Sequence, residues 1–284
     1  MEKIAVVTDT GSNLSFAQAK ELGIYLLPLQ ITIDETTYQD TLEISTQDIY
    51  NELANGKMPK TSMAAYQKIY DLFEELKKDY DTIFAVPLTN GLSTNASTMQ
   101  SIARELEMNV HVIDMYATCA LEKHVAIWIK KLVDEHKSSE EILKIIQPAI
   151  DESNSLILVK NLQHLKRGGR LTPMAATLAG LLKIYPVLHI NKSTKGRIDV
   201  LNKVRTEKRA DAYAIDKVMD DIDIQHTHIY IIHSNFLDGA NHFKKCFIEK
   251  GVPEQNIHID YISSVIAVHT GLGCIAIQYI REEN

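Results

Sequence analysis

Only three cysteines, Cys119, Cys246 and Cys274, occur in 284 residues. The number is odd and no CxxC pair is present, which argues against a disulfide framework and a structural zinc site and suits a reducing compartment. Positive charge is also in deficit. Thirty Lys and Arg against 37 Asp and Glu leave a formal charge of −7, so the chain lacks the basic footprint that holds polyphosphate backbones, and no nucleic-acid partner is expected. No long hydrophobic run stands out. The most apolar late stretch, residues 266–280, is broken by His269, Thr270 and Gln278 and falls short of the roughly 20 residues that cross a bilayer. It reads as buried core, without stable membrane insertion. The start MEKIAVVTD enters a strand pattern with no charged n-region and apolar h-region, which predicts a cytoplasmic protein. Four chemical signatures are missing: GxxxxGK[ST], GxGxxG, GxSxG and HExxH. A P-loop, a Rossmann dinucleotide loop, a hydrolase elbow and a zincin site therefore have no sequence support.

What is present is an ordinary globular composition, 45% hydrophobic and 24% charged, at a length that favours two domains. In the first half, short apolar runs at residues 4–7, 83–86 and 110–113 read as buried strands. Helical stripes lie between them: Tyr66, Ile69, Tyr70, Phe73 and Leu76, then Leu121, Val125, Trp128 and Leu132. Ser138 with Glu141 is a capping box opening a further helix that carries Ile142, Ile145 and Ile146. Such alternation predicts a parallel sheet covered on both faces. The second half reads as a mixed sheet, with strands at 198–200, 228–232, 257–261 and 274–277 and helices at 210–219 and 241–250. Pro148 and the polar run 151–155 suggest the boundary. The expected organisation is a parallel-sheet α/β domain over 1–150 and a mixed-sheet α/β domain over 151–284.

Small hydroxyl residues gather where strands give way to helices, which is where open parallel sheets take ligands. The first strand ends in Thr8-Asp9-Thr10, followed by Gly11-Ser12-Asn13; Thr61-Ser62 is expected to open the helix of Tyr66 and Ile69; and the run 87–95 ends with a helix expected to start near Ser93. Helix-start N–H groups with serine hydroxyls can hold a carboxylate or phosphate. Singly, each hydroxyl reads as an N-cap, and Asp9 as a turn carboxylate. Their convergence is what points to a site. Lys166-Arg167-Gly168-Gly169-Arg170 reads as a turn with three cations, residues 174–182 as a small apolar helix, and His269, before Gly271 and Gly273, as a core or turn imidazole. His226 and His228 would share a strand face without an acidic or thiol companion, so no metal site is expected.

The ordered motifs TDTGSNL (8–14), PKTS (59–62), LTNGLS (88–93), VID (112–114), LKRGGRL (165–171), KVRTEKRA (203–210) and HTGLG (269–273) resemble the DegV family of bacterial fatty-acid-binding proteins across nearly the whole chain. The resemblance implies a three-layer α/β/α parallel-sheet domain and a two-layer mixed-sheet domain enclosing a tunnel for one long-chain fatty acid. It further implies a non-catalytic subunit that presents the fatty acid carboxylate to a separate ATP-binding kinase subunit for conversion to acyl phosphate, with no cofactor of its own. Carried onto this sequence, the carboxylate-binding residues are Thr61 or Ser62, Ser93 and His269, and Arg170 engages the kinase partner. Two other readings of the same residues remain: a stand-alone hydrolase or acyl transferase using Ser93 with His269, and a small-anion or nucleotide sensor.

Overall fold

A computed structural model describes residues 2–181 and 183–282. The chain opens with β1 (Ile4–Asp9), six residues buried throughout. A 3-10 turn at Thr10–Ser12 leads to α1 (Phe16–Leu22), which starts at a Ser15/Gln18 capping box and stops where Gly23 turns left-handed. Next come β2 (Tyr25–Leu27), a hairpin of β3 (Gln30–Ile33) and β4 (Thr36–Gln39), α2 (Thr46–Ala54) and β5 (Lys60–Ser62). The helices α3 (Tyr66–Leu76), α4 (Asn95–Glu105), α5 (Ala120–Asp134) and α6 (Ser139–Glu152) are separated by β6 (Thr82–Val86) and β7 (Asn109–Val112). The strands order as β2-β1-β6-β7, each pair parallel.

Alternation along a strand sends successive side chains to opposite faces. Ile4, Val6, Phe84 and Val86 accordingly pack on α5 and α6, while Ala5, Val7, Ile83 and Ala85 pack on α3 and α4. That is the three-layer α/β/α unit, and its double burial is why these strands read as unbroken apolar runs.

The second unit comprises β8 (Asn154–Leu158), α7 (Leu162–Arg167), α8 (Pro173–Leu178), β9 (Tyr185–Ile190), β10 (Asp199–Val204), α9 (Glu207–Asp221), β11 (Thr227–His233), α10 (Leu237–Glu249), β12 (Ile257–Tyr261), α11 (Ser264–Thr270) and β13 (Ile275–Arg281). Its six strands order as β10-β9-β8-β13-β11-β12, antiparallel except for the β11–β12 pair. One face carries α9 and α10 around Phe243 and Phe247. The other, with Ile157, Leu188, Ile232 and Ala276, faces Tyr50, Cys119 and Ala120 of the first unit, and α11 lies in that seam.

The structure departs from the sequence reading in several places. Thr61 and Ser62 do not open a helix. They belong to β5, which completes a three-stranded antiparallel sheet β4-β3-β5 with Ile31 opposite Thr61, and α3 begins at Tyr66 without a side-chain cap. Backbone pairing with β3 wins over the hydroxyls' capping tendency. The helix after β6 starts at Asn95, two residues beyond Ser93. His269 sits in the last turn of α11, not in a turn before a strand. Pro148 and residues 151–152 lie inside α6, and Asn154 already begins β8, so Ser153 alone joins them. His226 precedes β11 and bonds Asp223, whereas His228 is within the strand, so the two share no strand face. Leu182, the end of the small apolar run, lies outside the described residues. Among the described residues no helix is long and apolar enough to cross a membrane, and no group of three or more His, Cys, Asp or Glu is arranged to hold a metal.

Candidate functional site

The loop at the carboxyl end of β6 and Leu29, after β2, open onto a cavity of about 390 Å³ between the two units. Thr61, Ser62, Ser93, Arg170 and His269 all line it, although they come from four separate stretches of chain. Strand alternation divides the first pair. Thr61 Oγ1 lies 2.7 Å from His269 Nε2, while Ser62 is exposed and donates to Gln30 Oε1 at 3.0 Å. Ser93 Oγ accepts the Asn95 amide at 3.2 Å, so the hydroxyl hydrogen stays available.

His269 is fixed by its helix. α11 is held to α7 by His164, whose Nε2 donates to the Val268 carbonyl at 2.8 Å, and by Gly271, which at φ 75° passes 3.1 Å from the His164 ring by its would-be Cβ. The first glycine of the cationic turn has a matching role: a Cβ at Gly168 would meet His269 Nδ1 at 3.0 Å. Burial and the neighbouring Arg170 cation push the His269 imidazole down to about 3, so it is neutral in ordinary buffers. Arg170 is not a solvated turn residue. It is partly buried, donates from Nη1 to the Gly168 carbonyl at 2.8 Å and from Nε towards the Leu92 carbonyl at 3.4 Å, and burial lowers its own basicity.

The loop carrying Ser93 meets the second unit at extreme proximity. A Cβ on Gly91 would stand 2.1 Å from the Gly196 carbonyl oxygen, and Gly196, at φ 70°, would put its own Cβ 2.0 Å from Thr89 Oγ1. Only two glycines permit this crossing.

Behind the cavity the seam between the units narrows to about 30 Å³, lined by Ile157, Ile190, Ile232, Ile266 and Ala276 with Gln278 at its edge. Leu92, Ile198, Ile266 and Thr270 border both spaces. Gln278 is fully buried yet satisfied: its Oε1 accepts the Ala120 amide at 3.1 Å, and its Nε2 donates to the Thr118 carbonyl and Ser155 Oγ at 2.9 and 3.0 Å. Tyr50 ties the units from another side, donating to the Ile262 carbonyl at 2.7 Å. Neither residue carries a motif that sequence reading detects. Ser93 and His269 are not hydrogen-bonded to each other, and among the described residues no carboxylate accepts from His269 Nδ1. A nucleophile–base–acid chain is therefore not assembled from these residues.

Comparison with known proteins agrees with this architecture. The model of the DegV family, described as uncharacterised protein, matches residues 3–282. A DegV domain-containing protein of Halalkalibacterium halodurans is 31% identical over 289 residues, covering 100% of both chains. Among solved structures, a fatty acid binding DegV family protein from Streptococcus agalactiae superposes with a TM-score of 0.91 at 30% identity, covering 100% of both chains. DegV from Bacillus subtilis, a fatty acid binding protein, superposes at 0.86 with 26% identity, covering 99% of this chain and 100% of that one. Matched from end to end by the family model and by a relative above 30% identity, this chain belongs to the DegV family.

Proposed function

We propose that the chain binds one long-chain fatty acid, seats its carboxylate among Thr61, Ser93 and His269, and presents it to a separate ATP-dependent kinase subunit for conversion to acyl phosphate. The observation that carries the reading is the Thr61–His269 contact at the head of a cavity whose far wall continues as an apolar seam between the two sheets. The fatty acid binding recorded for the Streptococcus agalactiae and Bacillus subtilis relatives supports it. On this reading residues 1–150 supply the hydroxyl side of the site and residues 151–284 the His269 and Arg170 side, with the tail between them.

The energetics fit that cargo. Each buried CH₂ contributes about 0.8 kcal/mol, so a 16-carbon tail gives on the order of 10 kcal/mol before association costs. A carboxylate is expensive to bury unless donors receive it. A neutral His269 with its proton on Nε2 donates to Thr61 and frees the Thr61 hydroxyl to donate to the ligand, beside Ser93 and under the Arg170 charge. The sequence holds no GxxxxGK[ST] phosphate cradle, so ATP comes with the partner, in the cytoplasm. Arg170, both lining the cavity and partly exposed, suits contact with that partner.

Arg170→Ala tests the arrangement. It should titrate with fatty acid much as the parent does, yet support far slower acyl phosphate formation when mixed with kinase and ATP. Parallel loss of both would place Arg170 with the cargo alone. Turnover of an activated ester by the purified parent, abolished by Ser93→Ala, would replace the carrier with a hydrolase.

A further inference from the structure

Behind the Ser93 loop three carboxyl groups are withdrawn from solvent: Asp9 at the end of β1, Glu122 on α5 and Asp40 after β4, all fully buried. Nothing in the proposed ligand contact uses them. Asp9 is the best connected. Its Oδ1 accepts the Gly11 amide at 2.8 Å, and its Oδ2 accepts the Leu88 amide at 2.9 Å and Asn95 Nδ2 at 2.7 Å. Leu88 stands at the start of the loop that lines the cavity, and Asn95 stands at its end. The Asn95 backbone amide in turn donates to Ser93 Oγ. One carboxyl thus staples both ends of the loop whose apex carries Gly91, Leu92 and Ser93.

Glu122 reaches the same point from α5. Its Oε1 lies 3.2 Å from Thr8 Oγ1, whose own hydrogen goes to the Val86 carbonyl at 2.7 Å, and its Oε2 is buried against Asp9. A Cβ at residue 11 would stand 2.7 Å from Asp9 Oδ1 and 3.1 Å from Glu122 Oε2, so Gly11 leaves just enough room for the two groups to meet. We propose that the Asp9 carboxyl, braced by Glu122, is the positioning device that holds residues 87–95 in the shape that aims Ser93 into the cavity, and so sets affinity for the ligand carboxylate.

This rests on the fatty acid reading above and adds how the site is held. Burial raises both groups; the three N–H donors draw Asp9 back towards its ionised form, whereas burial, the Asp9 charge and the Cys119 thiol push Glu122 well up, which makes Glu122 the member that holds a proton. On this proposal that proton lies between the two carboxyls. Asp40 is also raised, to about 6, by burial and by Asp9, and Ser264 of α11 donates to it. As pH rises and Glu122 ionises, two buried like charges would push the staple apart, and the loop with it.

Infrared spectroscopy of the full chain at pH 8, where Asp40 is ionised, should show the absorption of a protonated carboxyl, lost in Glu122→Gln. Palmitate affinity of the parent should decline towards alkaline pH, and the decline should be absent in Glu122→Gln, which keeps a donor to Asp9 that cannot ionise. Asp9→Asn should lose about tenfold or more of palmitate affinity and the hydrogen-exchange protection of the Leu88 amide. Should Asp9→Asn fail to fold, Gly11→Ala presses on the same two oxygens more gently and should lose affinity in the same direction. Parent-like affinity and Leu88 protection in Asp9→Asn, or in Gly11→Ala where that is the variant that folds, would overturn the proposal, as would a protonated-carboxyl absorption that survives in Glu122→Gln. A parent that takes up no palmitate would sink the fatty acid reading, while the infrared and exchange measurements would still decide whether the pair holds the loop.

Discussion

At its head the cavity measures about 390 Å³ and is bounded by side chains already committed to one another, Thr61 to His269, Ser93 to the Asn95 amide, Arg170 to Gly168. Behind it, the seam between the sheets closes to about 30 Å³ among isoleucines and Ala276, close to the share of liquid volume of a single water. The two regions teach different things about how a long amphiphile would be held. A hydrogen-bonded head is built in advance and costs little to organise when a carboxylate arrives. An apolar seam has no directional bonds to set its width, so it opens only as far as the surface buried in it compensates. On the proposed reading, the first region would select the headgroup and the second would supply most of the affinity.

Filling the seam should have the largest effect. Ala276→Phe places a ring among Ile157, Ile190 and Ile232 without touching the head residues. Overpacking of this kind costs about 1–3 kcal/mol of stability, and palmitate affinity in a fluorescence titration should fall by about 100-fold or more while hexanoate, too short to need the seam, binds as it does to the parent. Equal losses for both acids would mean that the tail lies elsewhere.

At the head the expected effects are smaller. Ser93→Ala and Thr61→Ala should each cost about 1–3 kcal/mol of affinity, because each leaves a buried anion one donor short. Ser62→Ala, whose hydroxyl is exposed and turned to Gln30, should change affinity by only a few tenths of a kcal/mol. A Ser62 effect as large as that of Thr61 would contradict the strand alternation on which the head is built.

The parts of this arrangement that sequence exposes are those with local physics. The runs ending at Val7 and Val86 are apolar because both faces of the parallel sheet are covered, and the Ser138/Glu141 pair is a capping box in the structure as in the pattern. Four of the seven ordered motifs carry Thr61, Ser93, Arg170 and His269, and the fold brings these residues to one cavity. What sequence does not expose depends on pairing at a distance. β5 is three residues long with polar neighbours and carries no periodic signal; it is a strand because Ile31 and Gln30 lie opposite. Residues 264–270 include Val265, Ile266, Val268 and Thr270, all β-branched, yet form α11 because the seam buries Ala267 and Val268. Glu122 sits next to Leu121 in a helical stripe, 113 positions from Asp9, and nothing in one dimension links them.

The pH response concerns stability rather than affinity, and it separates the two regions again, since the Cys274 thiol that lines the seam is pushed up to about 12 by burial and stays neutral across the acid range. His269, held down to about 3 against an ordinary value of 6.5, takes up a proton on unfolding. Its contribution to stability is therefore present above about pH 6.5 and is lost as pH falls towards 3. Urea unfolding should give a shallower acid decline for His269→Gln than for the parent. A steeper decline in the variant would reverse the sign and place a charged imidazole in the folded site.

On the proposed reading a preformed polar head joins an apolar seam that one acyl chain opens. Native mass spectrometry of the protein purified from cells, followed by lipid extraction, tests it most directly. One added mass per chain is expected, identified on extraction as a long-chain fatty acid, retained by Ser62→Ala and missing from Ala276→Phe. A bare chain that also fails to take up palmitate, or an acyl mass that Ala276→Phe retains in full, would contradict it.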